Sequence, residues 1–416
     1  MTPTLSHLTR VFGRIGVLSF GGPAAQIALM HDALVEKEKW LTEQDFLRAL
    51  SFCMLLPGPE AMQLATYAGW RLHGTLGGLI AGALFVLPGA AVVLALAMGY
   101  AFYSDLTWVQ GAFLGIKSVV ILIVLQALFK VSKKALETPL AWALAIGAFA
   151  AIFAVGVPFP LIIGAAALIG LTQATKGTGL TRPLSHAHLP RTITLWGALW
   201  IAPIAAAFAL QAEFLTDIGL FFSKMAIVTF GGAYAVLAYM TQEVVQNYGW
   251  LSTAQMIDGL GLAETTPGPL ILVTEFVGFL AGFQERGLGM GLLAAALTLW
   301  VTFIPCFLWI FAGAPYVEHM ASAPRIEAAL KAVTAAVVGV IANLSLWFAL
   351  HVFFTTLTPT PFLNTQVPLP ALGSLSLPAL GLTALAALLS FGLRLSLPLT
   401  LVVLALAGVL VQALIL

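Results

Sequence analysis

Ser19-Phe20-Gly21-Gly22-Pro23 lies in strongly apolar surroundings, and a near copy, Thr229-Phe230-Gly231-Gly232-Ala233, returns at an offset of 210 residues. The same offset carries Trp40-Leu41-Thr42 onto Trp250-Leu251-Ser252 and Pro57-Gly58-Pro59 onto Pro267-Gly268-Pro269. A chance match of small residues would not hold one ungapped register through three landmarks, so the chain reads as two copies of one unit, and a repeat of this length decides the fold ahead of local propensity. The copies are placed at residues 1–173 and 214–416, with a basic loop and one linking membrane helix over 174–213.

The composition sets the class. Hydrophobic residues make up 60% of the chain and charged residues 8%, with a mean hydropathy of +1.01, against roughly 25% charged residues in a soluble domain. Apolar runs of the ~20 residues that cross a bilayer recur throughout, leaving no room for a soluble catalytic domain. Met1 to Arg10 lack the basic region, apolar region and cleavage site of a secretory leader, so the first membrane segment is expected to do the targeting. Cys53 and Cys306 stand in apolar segments without a CxxC or Cys/His pattern, which predicts neither disulfide nor zinc. His186 and His188 in the loop have no third ligand nearby. No cofactor or metal is expected, and a net charge of +1 excludes the concentrated basic surface that nucleic acid requires.

The quoted stretches interrupt helices. Leu5 to Ser19 and Ala24 to Glu38 flank the first, and Gln44 to Leu56 and Glu60 to Arg71 flank Pro57-Gly58-Pro59; each is shorter than a usual crossing. They read as re-entrant hairpins, because proline removes a backbone donor and glycine opens turn conformations. Broken backbone at membrane depth survives only where protein or a watery cavity surrounds it, so the breaks should meet inside the molecule. Full crossings follow at Gly74 to Phe102, kinked at Pro88, then Trp108 to Lys130, Pro139 to Val155 and Pro158 to Gln173. Gly74, Gly78 and Gly82 form a small-residue face for helix packing. After the linking helix, Thr192 to Gln211, the second copy repeats the plan, with crossings near Leu288 to Phe311, Ile326 to Phe353, Ser376 to Leu393 and Leu397 to Ile415.

The single linking helix inverts the second copy, provided that each hairpin returns to its own side. With a cytoplasmic N-terminus and an outside C-terminus, the inside loops carry Lys37, Lys39, Arg48, Arg71, Lys130, Lys133, Lys134, Lys176, Arg182, Arg191, Arg325 and Arg394, whereas the outside loops carry only Arg286. This agrees with the positive-inside rule. The expected fold class is therefore an all-α polytopic membrane protein of two inverted-topology repeats with broken, re-entrant helical hairpins.

Such repeats are the signature of a secondary transporter. Helix N-termini after Gly22-Pro23, Pro57-Gly58-Pro59, Gly232 and Pro267-Gly268-Pro269 would aim unpaired N–H groups at one region, an anion site. Ser19, Thr229, Thr265 and Thr266 can add hydroxyl donors and Gln26 and Gln63 amide donors, although hydroxyls in membrane helices often bond their own backbone. Phe20, Gly21, Phe230 and Gly231 complete the motif lining. A cation in mid-membrane costs on the order of 2.5–3.5 kcal/mol, so Lys117 is expected to meet a dianionic substrate. Arg14 and its repeat partner Lys224 either serve the same anion or snorkel to a membrane face, as Lys331 does. Glu60, Glu264 and Glu275 are the candidates for proton coupling. Glu60 is equally explained by a helix dipole, whereas Glu275 is read as lying within its helix.

Ser19-Phe20-Gly21-Gly22-Pro23, Pro57-Gly58-Pro59 with the following Gln63-Leu64-Ala65-Thr66-Tyr67-Ala68-Gly69, and their echoes resemble the chromate ion transporter family, in the form with two fused domains. The resemblance covers essentially the whole chain. It implies chromate export from the cytoplasm across a bacterial inner membrane, by a protein embedded in the lipid bilayer, driven by the proton gradient or membrane potential, with protons as coupling ion and sulfate as a similar dianion. A homodimer is compatible with it. The second copy departs at Ala233, Val236 and Val273, which replace Pro23, Gln26 and Gln63. The alternative is a sulfate or other oxyanion permease working inward. A membrane enzyme is disfavoured, since neither HExxH nor GxSxG is present. Inversion has a direct test: cysteines replacing Lys37 and Tyr248 should label from opposite sides of sealed vesicles, and labelling from one side refutes it.

Overall fold

The computed structural model describes residues 3–20, 22–173, 189–230, 233–316, 324–362 and 365–415. Gly21, Gly231 and Gly232 of the motifs, and Lys176, Arg182, His186 and His188 of the linker, lie outside the described residues.

Helices α1 (Leu5–Leu18) and α2 (Gly22–His31) flank the first motif, and α3 (Glu43–Leu55) and α4 (Glu60–Tyr103) flank Pro57-Gly58-Pro59. Then come α5 (Thr107–Ala135), α6 (Pro139–Ala150), α7 (Phe159–Gln173) and the linking α8 (Leu189–Ala209). The second copy supplies α9 (Glu213–Val228), α10 (Ala233–Gln242), α11 (Thr253–Thr265), α12 (Val273–Arg286), α13 (Leu288–Gly313), α14 (Pro324–Phe353), α15 (Leu377–Ala387) and α16 (Leu397–Ile415). The protein is an all-α polytopic membrane protein.

The duplication is written into the backbone. Helices α2 and α10 each continue into a π-turn, Asp32–Lys37 and Glu243–Asn247. Trp40 N–H bonds Leu34 O at 2.9 Å, and Trp250 N–H bonds Val244 O at 3.0 Å. Thr42 Oγ1 then caps α3 by accepting from Asp45 N–H, and Ser252 Oγ accepts from Gln255 N–H before α11. A side-chain oxygen at this position satisfies one of the donors that a helix start leaves open, so the shared Trp-Leu-Thr/Ser motif is a turn followed by a cap.

The structure refines the sequence reading in three places. First, the departure from helical torsion angles in α4 lies at His73 and Gly74, with Gly74 at φ 59°, while Pro88 sits within the helix. Gly74 is thus a turn residue rather than part of the packing face. The two arms of α4 fold onto each other so closely that a Cβ on Gly69 would fall 2.3 Å from Gly77 O. Gly78 and Gly82 do pack, against Phe311 and Phe307. Second, among the described residues six helices are long and apolar enough to cross a membrane, and the other three expected crossings, Pro139–Val155, Phe159–Gln173 and Leu377–Gly392, are shorter. Third, an antiparallel hairpin, β1 (Leu357–Phe362) with β2 (Thr365–Pro370), joins α14 to α15. Its prolines at 359, 361, 368 and 370 all fall in one alternate class of residue pairs. There the N–H points away from the partner strand, and its loss costs no ladder bond.

The described residues form two compact units, and each takes material from both copies. One comprises Met1–Ala97, Ala174–Ala233 and Thr266–Glu327, the other Met98–Gln173, Tyr234–Thr265 and Ala328–Leu416. The first is cored by Phe12, Phe46, Phe52, Phe222 and Phe276, all buried. In the second, Val119, Leu122 and Ile123 of α5 meet Leu382 and Ala386 of α15 and Leu401 and Leu404 of α16. Lipid is as apolar as these side chains, so close packing rather than water exclusion holds such helices together, and small residues permit it. A Cβ on Gly115 would lie 1.8 Å from Leu404 O, and one on Gly408 2.1 Å from Gly111 O.

Gly115→Ala should therefore lower thermal stability in detergent by about 1–3 kcal/mol through overpacking. Gly147→Ala in α6, where an added Cβ meets nothing within 4 Å, should be neutral or gain up to about 1 kcal/mol of helix propensity. Equal melting shifts for the two would refute the packing assignment.

Candidate functional site

The four breaks converge within the first unit. Pro23 and Gln26, Gly58, Pro59 and Glu60, Thr229, and Pro269 and Leu270 line one narrow cleft. It continues past Gly58 and Thr229 toward Met225, Thr274 and Thr302. Two reciprocal backbone bonds tie the copies together there. Gly58 N–H donates to Thr229 O and Gly268 N–H to Ser19 O, both at 2.9 Å. The two bonds are related by the repeat offset, since Gly58 corresponds to Gly268 and Ser19 to Thr229. Gly58 at φ 115° and Gly268 at φ 88° hold left-handed conformations that side chains rarely adopt, which turns each N–H across to the other copy.

The glutamines are committed to this junction. Gln26 Nε2 donates to Gly268 O at 2.6 Å and to Ser19 O at 3.3 Å, and Gln63 Nε2 donates to Pro57 O at 2.6 Å. Their amide donors, expected to face an anion, hold the broken backbone instead. Their Oε1 atoms are buried with no hydrogen-bond partner in the protein, as is Ser19 Oγ. Thr229 Oγ1 bonds Met225 O at 2.6 Å and Thr265 Oγ1 bonds Leu262 O at 2.7 Å, each back along its own helix. Thr266 is buried, Phe20 is exposed and Phe230 is half-buried. Pro57 and Pro267 complete the two Pro-Gly-Pro turns, with Gly22 and Pro23 at the start of α2.

Of the carboxylates and cations, Glu60 sits at a helix start as the sequence reads, whereas Glu275 does not sit where the sequence puts it. Glu60 opens α4 and lines the cleft. Glu275 is not deep in its helix: a 3-10 turn, Leu270–Leu272, precedes α12, so Glu275 falls in the first turn, where the dipole favours a negative charge. It is 1% exposed, and its Oε2 has no hydrogen-bond partner in the protein. Glu264 is half-buried in the last turn of α11, and Arg14 and Lys224 are exposed. No Lys, Arg or His is among the described residues that line the cleft.

Lys117 belongs to the second unit, where a carboxylate meets it. Its Nζ lies 3.1 Å from Asp258 Oδ1 of α11, and Tyr100 Oη donates to Asp258 Oδ2 at 2.9 Å. The Asp258 side chain is 6% exposed and that of Lys117 22%. Asp258 and Tyr100 escaped the sequence reading. Asp258 left a signal, an ionisable residue in an apolar helical stretch, but α11 gives no sign of which basic residue it faces. Elsewhere His31, Glu36 and Glu43 bring ligand-type atoms within 4.8 Å of one another, with His31 already bonded to Glu43 at 2.6 Å.

The chromate transporter family profile matches the chain twice, over residues 6–171 and 216–411. The chain belongs to the chromate transporter family. It is 33% identical to the probable chromate transport protein of Synechococcus elongatus over 82% of this chain and 83% of that one. It is equally similar to the chromate transport protein of Cupriavidus metallidurans, at 33% over 82% and 81%, and to that of Pseudomonas aeruginosa, at 33% over 79% and 77%. No solved structure matches it. For this family member the buried charge pair is the most exacting feature of the second unit, because removing one partner strands the other. Lys117→Met should destabilise the protein by about 3–5 kcal/mol. Asp258→Asn should cost less, since a freed lysine can snorkel, and the double variant should recover most of the loss. Additive losses in thermal unfolding would show that the pair is not coupled.

Proposed function

We propose that the chain is a secondary transporter of tetrahedral oxyanions, exporting chromate from the cytoplasm through the cleft where the four breaks meet. One observation carries the reading: residues from all four breaks line a single cleft, closed by two backbone bonds related by the repeat. Broken helices of two related copies around one site are how inverted-repeat transporters expose it to either side in turn. The 210-residue register of the two bonds supports that arrangement. The first turns of α2 and α4 supply N–H groups and positive dipole ends, which suit an anion. Similarity to proteins named for chromate transport supplies the substrate class.

In this reading the cleft is narrow in the conformation described, and passage requires the copies to rock about the Gly58–Thr229 and Gly268–Ser19 bonds. Glu275 and Glu60 are the groups that exchange protons with the gradient. Glu275 is the better placed, because it is buried and its Oε2 has no hydrogen-bond partner in the protein. The N-terminus lies in the cytoplasm of a bacterial cell and the C-terminus outside.

Purified protein in proteoliposomes should move chromate, and an imposed pH gradient or membrane potential should accelerate it. Sulfate moving inward in preference to chromate would favour the permease instead. Glu275→Gln keeps shape and removes the titratable group, so chromate binding should persist while the response of flux to the pH gradient falls severalfold. An unchanged response removes Glu275 from the mechanism.

A further inference from the structure

We infer that the cleft selects its oxyanion in the protonated, singly charged form, with the anion's hydroxyl donating to Gln26 Oε1. This deepens the reading of the cleft as the anion site and rests on it. The orientation of the Gln26 amide is decided by its neighbours. Both Gly268 O and Ser19 O are carbonyl acceptors, so the end that faces them must be the NH2 group, and the opposite end must be the carbonyl. Gln26 is 1% exposed, it lines the cleft, and its Oε1 has no partner in the protein. A buried acceptor of this kind is matched only by a donor.

A fully deprotonated oxyanion has no donor to offer. Against Gln26 Oε1 it would set oxygen on oxygen, while the N–H groups of the first turns of α2 and α4 satisfied its other side. A hydrogen oxyanion matches both halves of the site, its bare oxygens on the helix N-termini and its O–H on the glutamine. Charge points the same way. Glu60 shares the lining, and no basic side chain does so among the described residues. A second negative charge on the anion would meet no basic side chain among those lining residues to offset it. Cys306, whose Sγ would lie 2.9 Å from a Cβ on Gly58, and the buried Cys53, near enough to Glu60 to feel its charge, are further titratable groups at this region among the described residues. The second copy has Val236 at the equivalent position, so the acceptor is contributed by one copy alone and fixes a single orientation of the ion.

The test compares ions of equal charge and shape. At mildly alkaline pH, hydrogen phosphate and sulfate are both tetrahedral dianions, and only the former carries an O–H. Calorimetric competition against chromate on the detergent-purified protein should favour hydrogen phosphate over sulfate by on the order of a hundredfold. In Gln26→Leu, checked for folding by its melting temperature, that preference should collapse. Chromate's own affinity should fall about tenfold per pH unit once the anion loses its proton, and should do so equally in Glu60→Gln and Glu275→Gln. Sulfate competing as well as hydrogen phosphate overturns the inference, as does a chromate affinity that stays flat with pH. If the protein binds no oxyanion at all, the assignment of the cleft falls with it; chromate binding without these preferences sinks the protonated form only.

Discussion

Two backbone hydrogen bonds, Gly58 N–H to Thr229 O and Gly268 N–H to Ser19 O, are the constraint on which the first unit depends. Interrupting four helices inside a bilayer exposes peptide groups that lipid cannot satisfy, at a cost of several kcal/mol for each group left bare. The chain meets this by making each copy's second break the partner of the other copy's first. Glycine is required where the bond originates, because the left-handed conformation that aims the N–H across is closed to side chains. Gln26 and Gln63 then satisfy carbonyls at the same junction. The candidate site is therefore made of backbone, with side chains as its clamps.

Much of this was legible in the sequence. An ungapped register between Ser19 and Thr229, Trp40 and Trp250, and Pro57 and Pro267 needs no structure to be seen, and it placed the breaks and most helices within a few residues. Composition and run length settled the class. What could not be read was the relation of residues across the fold. Nothing in the spacing of Gln26 says that Gly268 O will claim its amide N–H and leave Oε1, an acceptor, as the free end. Lys117 advertised its need for a partner, but Asp258 stands on another helix at no informative distance along the chain. A local effect hides the place of Glu275: the 3-10 turn at Leu270–Leu272 delays the start of α12 beyond what Pro-Gly-Pro alone suggests.

The two copies are alike in scaffold and unlike in chemistry. Both keep the π-turn, the tryptophan turn and the hydroxyl cap, which are matters of backbone geometry. Gln26 and Gln63 face Val236 and Val273, Glu60 faces Leu270, and Asp258 faces Arg48. The repeated landmarks thus share a frame, while the polar groups differ from one to the other.

The crossed bonds also bear on how the protein is made. Synthesis delivers Ser19 and Gly58 to the membrane long before Thr229 and Gly268 exist, so for that interval the first copy holds broken helices whose partners have not been translated. Water or the insertion machinery must shelter them until the second copy arrives. Biogenesis, more than the finished fold, then limits how far the linking segment can be lengthened or the two copies be expressed apart.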